Sequence, residues 1–169
     1  MLLAETQRLR LRPFTLFDAQ FMLALLNDAG WLRYIGDRGV RTVEQAELYL
    51  QNGAIANYQT LGFGFYCVEL RETGAPIGMC GLTQRDYLPD PDLGFAFLSD
   101  FVGQGYAKEA ALAVMAYAQS ELDLKHILAT TRPDNFASAK VLEALGMRFR
   151  DLMMHPDGDR QLKLYEINL

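Results

Sequence analysis

Two glycines flank one glutamine at Gly103–Gln104–Gly105, inside the run FVGQGYAKEA (Phe101–Ala110). An alanine-rich helix former follows directly. A helix N-terminus presents unpaired N–H groups and roughly half a positive charge, so anions settle there. Glycine lets a ligand come close to the backbone because no Cβ intervenes. Val102, Gly103, Gln104, Gly105, Tyr106 and Ala107 could therefore cradle a diphosphate. A tight strand-to-helix turn uses the same Gly-x-Gly, and the triplet alone leaves both readings open. It is not a nucleoside-triphosphate loop, because no Lys-Ser/Thr ending follows to hold a phosphate and magnesium. It is not a dinucleotide fingerprint either, because a third glycine is missing and no short strand-loop-helix unit ending in an acid follows. The expected anion is a diphosphate held without metal.

Other residue types could do chemistry nearby. Asn135 and Ser138 are three apart and share a face if helical; Pro133–Asp134–Asn135 is also a capping signature, with Asp134 or Asn135 as N-cap. Asp92 lies in a PDPD stretch. It is either a general base or a member of a polar loop. Cys67 and Cys80 sit in separate apolar stretches and read as packing residues rather than a disulfide. His126 and His155 join no ligand spacing, so no metal is expected.

These groups need a scaffold. Arg8–Phe14 alternates leucine with arginine, the signature of a half-buried strand closed by Pro13. Apolar residues at helical spacing around Phe21 and Leu25 predict a helix, and Trp31–Tyr34 a short aromatic turn or helix. Thr42 with Gln45 has capping-box spacing and opens a helix to about Asn57. Gly62–Leu70 and Ile77–Asp86 read as a hairpin, and Leu93–Asp100 as a third apolar strand. A helix is expected from about Gly105 to Leu122, with a buried face of Ala107, Ala111, Val114, Ala118 and Leu122. A strand at Lys125–Thr131 follows, then a short helix ending at Gly146. Two last strands lie near Arg148–Met154 and Gln161–Asn168, joined by the turn HPDGDR. Helices thus interrupt a largely antiparallel sheet, giving a mixed α/β (α+β) fold and not a doubly wound one.

The bulk properties agree with one folded domain over residues 1–169. Half of the residues are hydrophobic and 22% are charged, which suits a soluble globular protein. No apolar run is long enough to span a bilayer and no leader-like stretch opens the chain, so a cytoplasmic location without a membrane partner is expected. The net charge of −5 argues against nucleic acid as partner and weakly favours a cationic substrate such as an amine.

GQGYAKEA, followed about 25 residues later by RPDNFASAKVLEALGM, resembles the GNAT family of acyl-CoA-dependent N-acetyltransferases. The opening AETQRLRLRPFTLFDAQFMLALLND is similar to the branch that includes ribosomal-protein N-terminal acetyltransferases. The likeness covers essentially the whole chain. It implies a GNAT-type fold, a mixed and mostly antiparallel sheet of about seven strands with about four helices, whose fourth and fifth strands splay apart.

The resemblance also implies roles. Backbone amides of Val102–Ala107 would wrap the pyrophosphate of acetyl-CoA, although Val102 stands where many relatives carry Arg or Gln. Phe95, Ala96 and Phe97 would offer backbone hydrogen bonds to the pantetheine arm like an added strand. A backbone N–H of that strand, where the family carries a bulge, would face the developing oxyanion. Asn135 would bond pantetheine amides, Ser138 would sit near the sulfur, and Lys140 would approach the phosphates. Asp92, with Asp86 as second choice, would be the base, working directly or through water. The family's tyrosine acid falls at Leu142, leaving Ser138 or water as substitute. Glu109 would brace the loop. Trp31, Tyr34 and Phe63, with Phe65, would line the acceptor pocket.

The implied reaction is direct attack of a primary amine on acetyl-CoA in a ternary complex. The amine could be a protein N-terminus, a polyamine or a small amino compound, and the enzyme a monomer or homodimer. Val102 and Leu142 motivate an alternative, a non-catalytic acyl-CoA-binding module on the same fold. A phosphate-binding protein unrelated to this family is a third reading.

Overall fold

Alternation decides the first strands. In the computed structural model, which describes residues 2–169, β1 (Ala4–Glu5) and β2 (Leu9–Pro13) pair antiparallel. Leu9 and Leu11 are fully buried. Arg12, on the other side of the strand, meets Asp18 at 2.8 Å and Glu69 at 3.1 Å. Two-residue β1 is too short to show alternation, and it raises the expected seven strands to eight.

The next segment is helical. Thr15 and Asp18 form a capping box over a 3-10 turn (Leu16–Asp18), which leads into α1 (Ala19–Leu26). α2 (Ala29–Tyr34) carries the aromatic stretch and is N-capped by Asp28. Thr42 and Gln45 make the expected capping box on α3 (Val43–Leu50). That helix does not run on as a plain α-helix. Gln51–Ile55 form a π turn, and α4 (Ala56–Thr60) follows. A wide turn shifts the helical phase by about one residue. Beyond it, the Tyr58 hydroxyl bonds Phe14 N–H and the carbonyl of Phe65, and its ring stacks on Tyr66 with centroids 5.4 Å apart.

The central strands are β3 (Phe65–Leu70), β4 (Pro76–Thr83) and β5 (Asp92–Phe97). Then come α5 (Tyr106–Ser120), β6 (His126–Thr131), α6 (Phe136–Ala144), β7 (Arg148–Met154) and β8 (Gln161–Asn168). Strand order is β1-β2-β3-β4-β5-β6-β8-β7. Every neighbouring pair is antiparallel except β5–β6, which the α5 crossover makes parallel. Six α segments, two of them joined through the π turn, replace the expected four helices.

The sheet separates two cores. On one face α5 buries Ala110, Ala111, Val114, Met115 and Ala118 against Leu9, Leu11, Val68, Ile77 and Leu82. On the other, α1, α2 and α3 pack Met22, Leu25, Leu26, Trp31 and Leu50 around Cys67 and Met79. Cys67 and Cys80 fall in different cores, so both stay free, and burial pushes both thiols up, Cys67 to about 12. Among the described residues no helix is long and apolar enough to cross a membrane.

Glu109 ties the sheet edge to the first turn of α5. It accepts from Thr6 Oγ1 at 2.6 Å, the Arg8 amide at 2.9 Å and Arg8 Nε at 2.7 Å. Burial alone would raise its carboxyl, but these donors outweigh it and hold the pKa below the usual 4.5. Glu109→Gln is expected to lower the unfolding free energy by about 1–3 kcal/mol at neutral pH. Because the folded pKa is depressed, this contribution is present above the unfolded value and is lost as pH falls through the folded one. Urea unfolding of both proteins at neutral pH and at acid pH checks this: the difference should shrink in acid.

Candidate active-site cleft

A sheet whose middle ladder fails creates the site. β4 and β5 stay in unbroken register from Thr83↔Asp92 to Gly78↔Phe97. β6 and β8 pair from His126↔Asn168 to Thr131↔Lys163. Between these halves β5 and β6 share the single pair Asp92↔Leu128, closed by Leu128 N–H donating to Pro91 O at 3.0 Å. Beyond it the strands part, as the resemblance implies. Backbone groups alternate along a strand. Leu98 N–H donates to Ile77 O in β4 and Pro91 O points to β6, so Phe95 and Phe97 turn their N–H and C=O into the gap. Ala96 faces the other way and pairs with Met79. Its backbone is spent, a departure from the expectation that all three residues offer hydrogen bonds. No bulge interrupts β5 along β4 either.

The gap opens toward the glycine loop. Ser99–Phe101 make one 3-10 turn, and Gly103 (φ +80°) and Gly105 (φ +84°) take left-handed conformations that favour glycine. Gly105 is the N-cap of the 15-residue α5. A Cβ on Gly103 would meet nothing within 4 Å, so the space over the loop is open. The loop is braced from behind. Arg8 Nη1 donates to Gln104 O at 3.0 Å and its guanidinium lies 4.3 Å over the Tyr106 ring, while Gln104 Nε2 donates to Asp100 O at 2.8 Å.

One cleft of about 920 Å³ joins the gap, the loop and the mouth of α6. Its walls include Asp92, Phe95, Ala96, Phe97, Val102, Gly103, Gly105, Tyr106, Ala107, Asn135, Ser138 and Lys140, together with Trp31, Tyr34 and Leu142. Three expected residues lie outside its lining, among them Asp86, the second-choice base. Gln104 points back into the loop, and Phe63 is buried in the core; the aromatic that reaches the cleft is Phe65, two positions on. Asn135 is the N-cap of α6, its Oδ1 accepting from Ser138 N–H at 3.1 Å. Capping and cleft lining are thus combined in one residue. Trp31 Nε1 is buried with no hydrogen-bond partner.

Asp92 marks the narrow end. It is only 3% exposed, and Arg85 Nε donates to its Oδ2 at 3.2 Å. Its other oxygen, Oδ1, is buried without a partner. Burial lifts its carboxyl from 3.8 to about 6, against the opposing charge and hydrogen bond of Arg85. Arg85 and Tyr87, with Tyr49, His155 and Arg160, also line this end. No sequence pattern marks them, because they come from two separate loops and a helix. The cleft carries six Lys or Arg side chains against two aspartates, the reverse of the net charge of the chain. His155, Asp157 and Asp159 converge within 4.8 Å on the β7–β8 turn, but Asp157 N–H already donates to His155 Nδ1 at 3.1 Å.

The family model for the acetyltransferase (GNAT) domain matches residues 8–148. The chain therefore belongs to the GNAT acetyltransferases, a family of acyl-CoA-dependent enzymes. It is 30% identical over 143 residues to the uncharacterized N-acetyltransferase YnaD of Bacillus subtilis, covering 85% of this chain and 81% of that protein. The structure resembles an acetyltransferase from Agrobacterium tumefaciens, with TM-score 0.82 and 26% identity over 98% of this chain and 94% of the other. In fold it is also similar to Mycobacterium smegmatis RimJ in complex with CoA-disulfide, with TM-score 0.79 and 24% identity over 95% and 81% of the two chains.

A carboxyl raised on folding stabilises the protein below its unfolded pKa and loses that contribution as pH rises through the folded value. Wild type is therefore expected to lose up to about 3 kcal/mol relative to Asp92→Asn between pH 4 and pH 7. Paired denaturant titrations across that range check the direction.

Proposed function

We propose that this cleft moves an acetyl group from acetyl-CoA to a primary amine by direct attack in a ternary complex, with residues 1–169 acting as one GNAT domain. One observation carries the reading. The two strands meet once and then part, with the N-terminus of α5 at the wide end and a buried carboxylate with one unpartnered oxygen at the narrow end. The open space over Gly103 and the unpaired groups of Phe95 and Phe97 fit the coenzyme.

Acetyl-CoA supplies an activated acyl carbon on a thiolate leaving group. The chain's residues do the rest. N–H groups from Gly103 to Ala107 hold the diphosphate, Lys140 adds positive charge, and Phe95 and Phe97 receive the pantetheine arm. Asn135 and Ser138 border it from α6. Asp92, directly or through water, takes a proton from the amine, so nitrogen attacks neutral; an α-amine near pKa 7.7–8.0 needs less help than a lysine near 10.4. The N–C bond forms, the C–S bond breaks, and the electron pair leaves on sulfur. Leu142 is buried and carries no proton, so Ser138 or water protonates the thiolate. Trp31, Tyr34 and Phe65 line the acceptor side.

Leu142 also supports the second reading, a module that binds acyl-CoA without turnover. Thiol release from acetyl-CoA over an amine panel separates the two. Tight binding with no release on any amine would favour the module.

Gly103→Phe is expected to raise the Kd for CoA at least tenfold by filling the open space, while Gly103→Ala, which carries the same left-handed backbone strain of about 1–2 kcal/mol, binds nearly normally. Equal affinity of both variants in calorimetry would remove the loop from the site. The rate should also follow Asp92. In wild type kcat/KM should rise with pH through about 6. Asp92→Asn should lose that limb and about 100-fold in rate.

A further inference from the structure

The two half-sheets meet at one backbone pair, and a side-chain tie lies one step along the same register. Asp92 pairs with Leu128. Two residues before each of them stand Asp90 and His126, and His126 Nδ1 lies 2.9 Å from Asp90 Oδ2. A carboxylate only accepts, so this bond puts a proton on Nδ1. The imidazole is held from its other side as well, with Nε2 3.5 Å from Glu166 Oε1 in β8. Glu166 in turn meets Arg150 Nε at 3.1 Å and Arg148 Nη2 at 3.4 Å, both from β7. A row of polar contacts thus runs from the β4–β5 loop across β6 and β8 to β7. Asp90 and His126 lie outside the cleft lining, and no step of the transfer chemistry uses them.

Position gives this row a role. The segment Pro89–Asp90–Pro91–Asp92 is stiff. Each proline fixes its own φ, and Asp90, which precedes Pro91, is biased to extended backbone. The placement of Asp90 is therefore passed through Pro91 to Asp92 with little give. Pro91 O also accepts the Leu128 N–H at 3.0 Å. We propose that Asp90 and His126 are a positioning pair, a clasp that closes the narrow end of the cleft and holds Asp92 in its buried place beside Arg85. The proposal rests on the acetyl-transfer reading in which Asp92 is the base. Neither clasp residue touches coenzyme or amine. The clasp therefore acts on proton transfer at Asp92 and leaves the grip on the coenzyme, at the opposite end of the gap, as it is. Without it a single backbone pair holds β5 to β6, water reaches Asp92, and the burial that raises its carboxyl is lost.

The test follows Asp92 by carboxyl-carbon NMR titration of the full chain, alongside thiol release from acetyl-CoA. His126→Ala and Asp90→Ala each break the clasp. In His126→Asn the side-chain amide sits where Nδ1 was and donates to Asp90. Arg85 and Tyr87, the charged and titratable groups that face Asp92, are untouched by these variants. In the alanine variants the Asp92 carboxyl should titrate below the wild-type value of about 6, by roughly one pH unit or more. The rising limb of kcat/KM should move with it. kcat should fall roughly tenfold, with KM and the Kd for CoA unchanged. His126→Asn should restore the wild-type titration, and the double alanine variant should be no worse than either single one. Asp90→Ala removes a side chain that is 40% exposed and carries the test if His126→Ala does not fold. An Asp92 titration that stays at the wild-type value in a folded alanine variant would overturn the proposal. So would a Kd for CoA that weakens in step with kcat, or a His126→Asn that behaves like His126→Ala. If no amine releases thiol, the acetyl-transfer reading fails by itself, and the NMR titration still decides the clasp.

Discussion

The molecule is organised around a ladder that closes once and then opens. A strand edge inside a fold carries N–H and C=O groups that must find partners. β5 satisfies one edge along β4 and leaves Phe95 and Phe97 facing a gap. β6 is satisfied by β8 and does not fill it. The fold tolerates this because each half-sheet is secured elsewhere. Five strands lie on one side and three on the other, joined at Asp92↔Leu128 and packed against α5. The unpaired edge is a vacant strand position, and an extended amide-bearing ligand is the natural occupant.

The loop at the open end depends on the same helix that packs the core. α5 lies close to the sheet because its buried face is mostly alanine. Its N-terminus is thereby fixed at the mouth of the gap. Glu109 and Arg8 then lock the loop from the far side, through the Arg8–Gln104 bond and the Arg8–Tyr106 stack. With its back braced by Arg8 and its front open over Gly103, the loop needs no side chain at its first position to hold its shape. This explains how Val102, more than half exposed, can stand where many relatives carry a polar residue.

Electrostatics divide the cleft. The chain is acidic overall, and surface carboxylates set its net charge. Inside the cleft lysine and arginine prevail, and the one buried carboxylate is Asp92. Low local polarity raises its pKa toward neutrality, while Arg85 restrains the rise. A carboxyl poised near the working pH can both accept and return a proton.

The strands, the capping box at Thr42 and the Gly146 helix end were legible as local patterns, because alternation, capping and glycine conformation act over a few residues. Two-residue β1 and the π turn at Gln51–Ile55 were not, since neither has a periodic signature. The Gly-x-Gly loop was readable for the same local reason as the caps. Whether Phe63 or Phe65 reaches the cleft, and whether Ala96 has a free backbone, turned on strand pairing and so lay beyond any local pattern. Sequence by itself determined most of the elements, the glycine turn that opens α5 and, through its likeness to a family, the class of enzyme. Only the tertiary structure decided that Asp92 is buried beside Arg85 with an oxygen to spare, because that pairing joins a loop to a strand and burial is a property of everything packed around them.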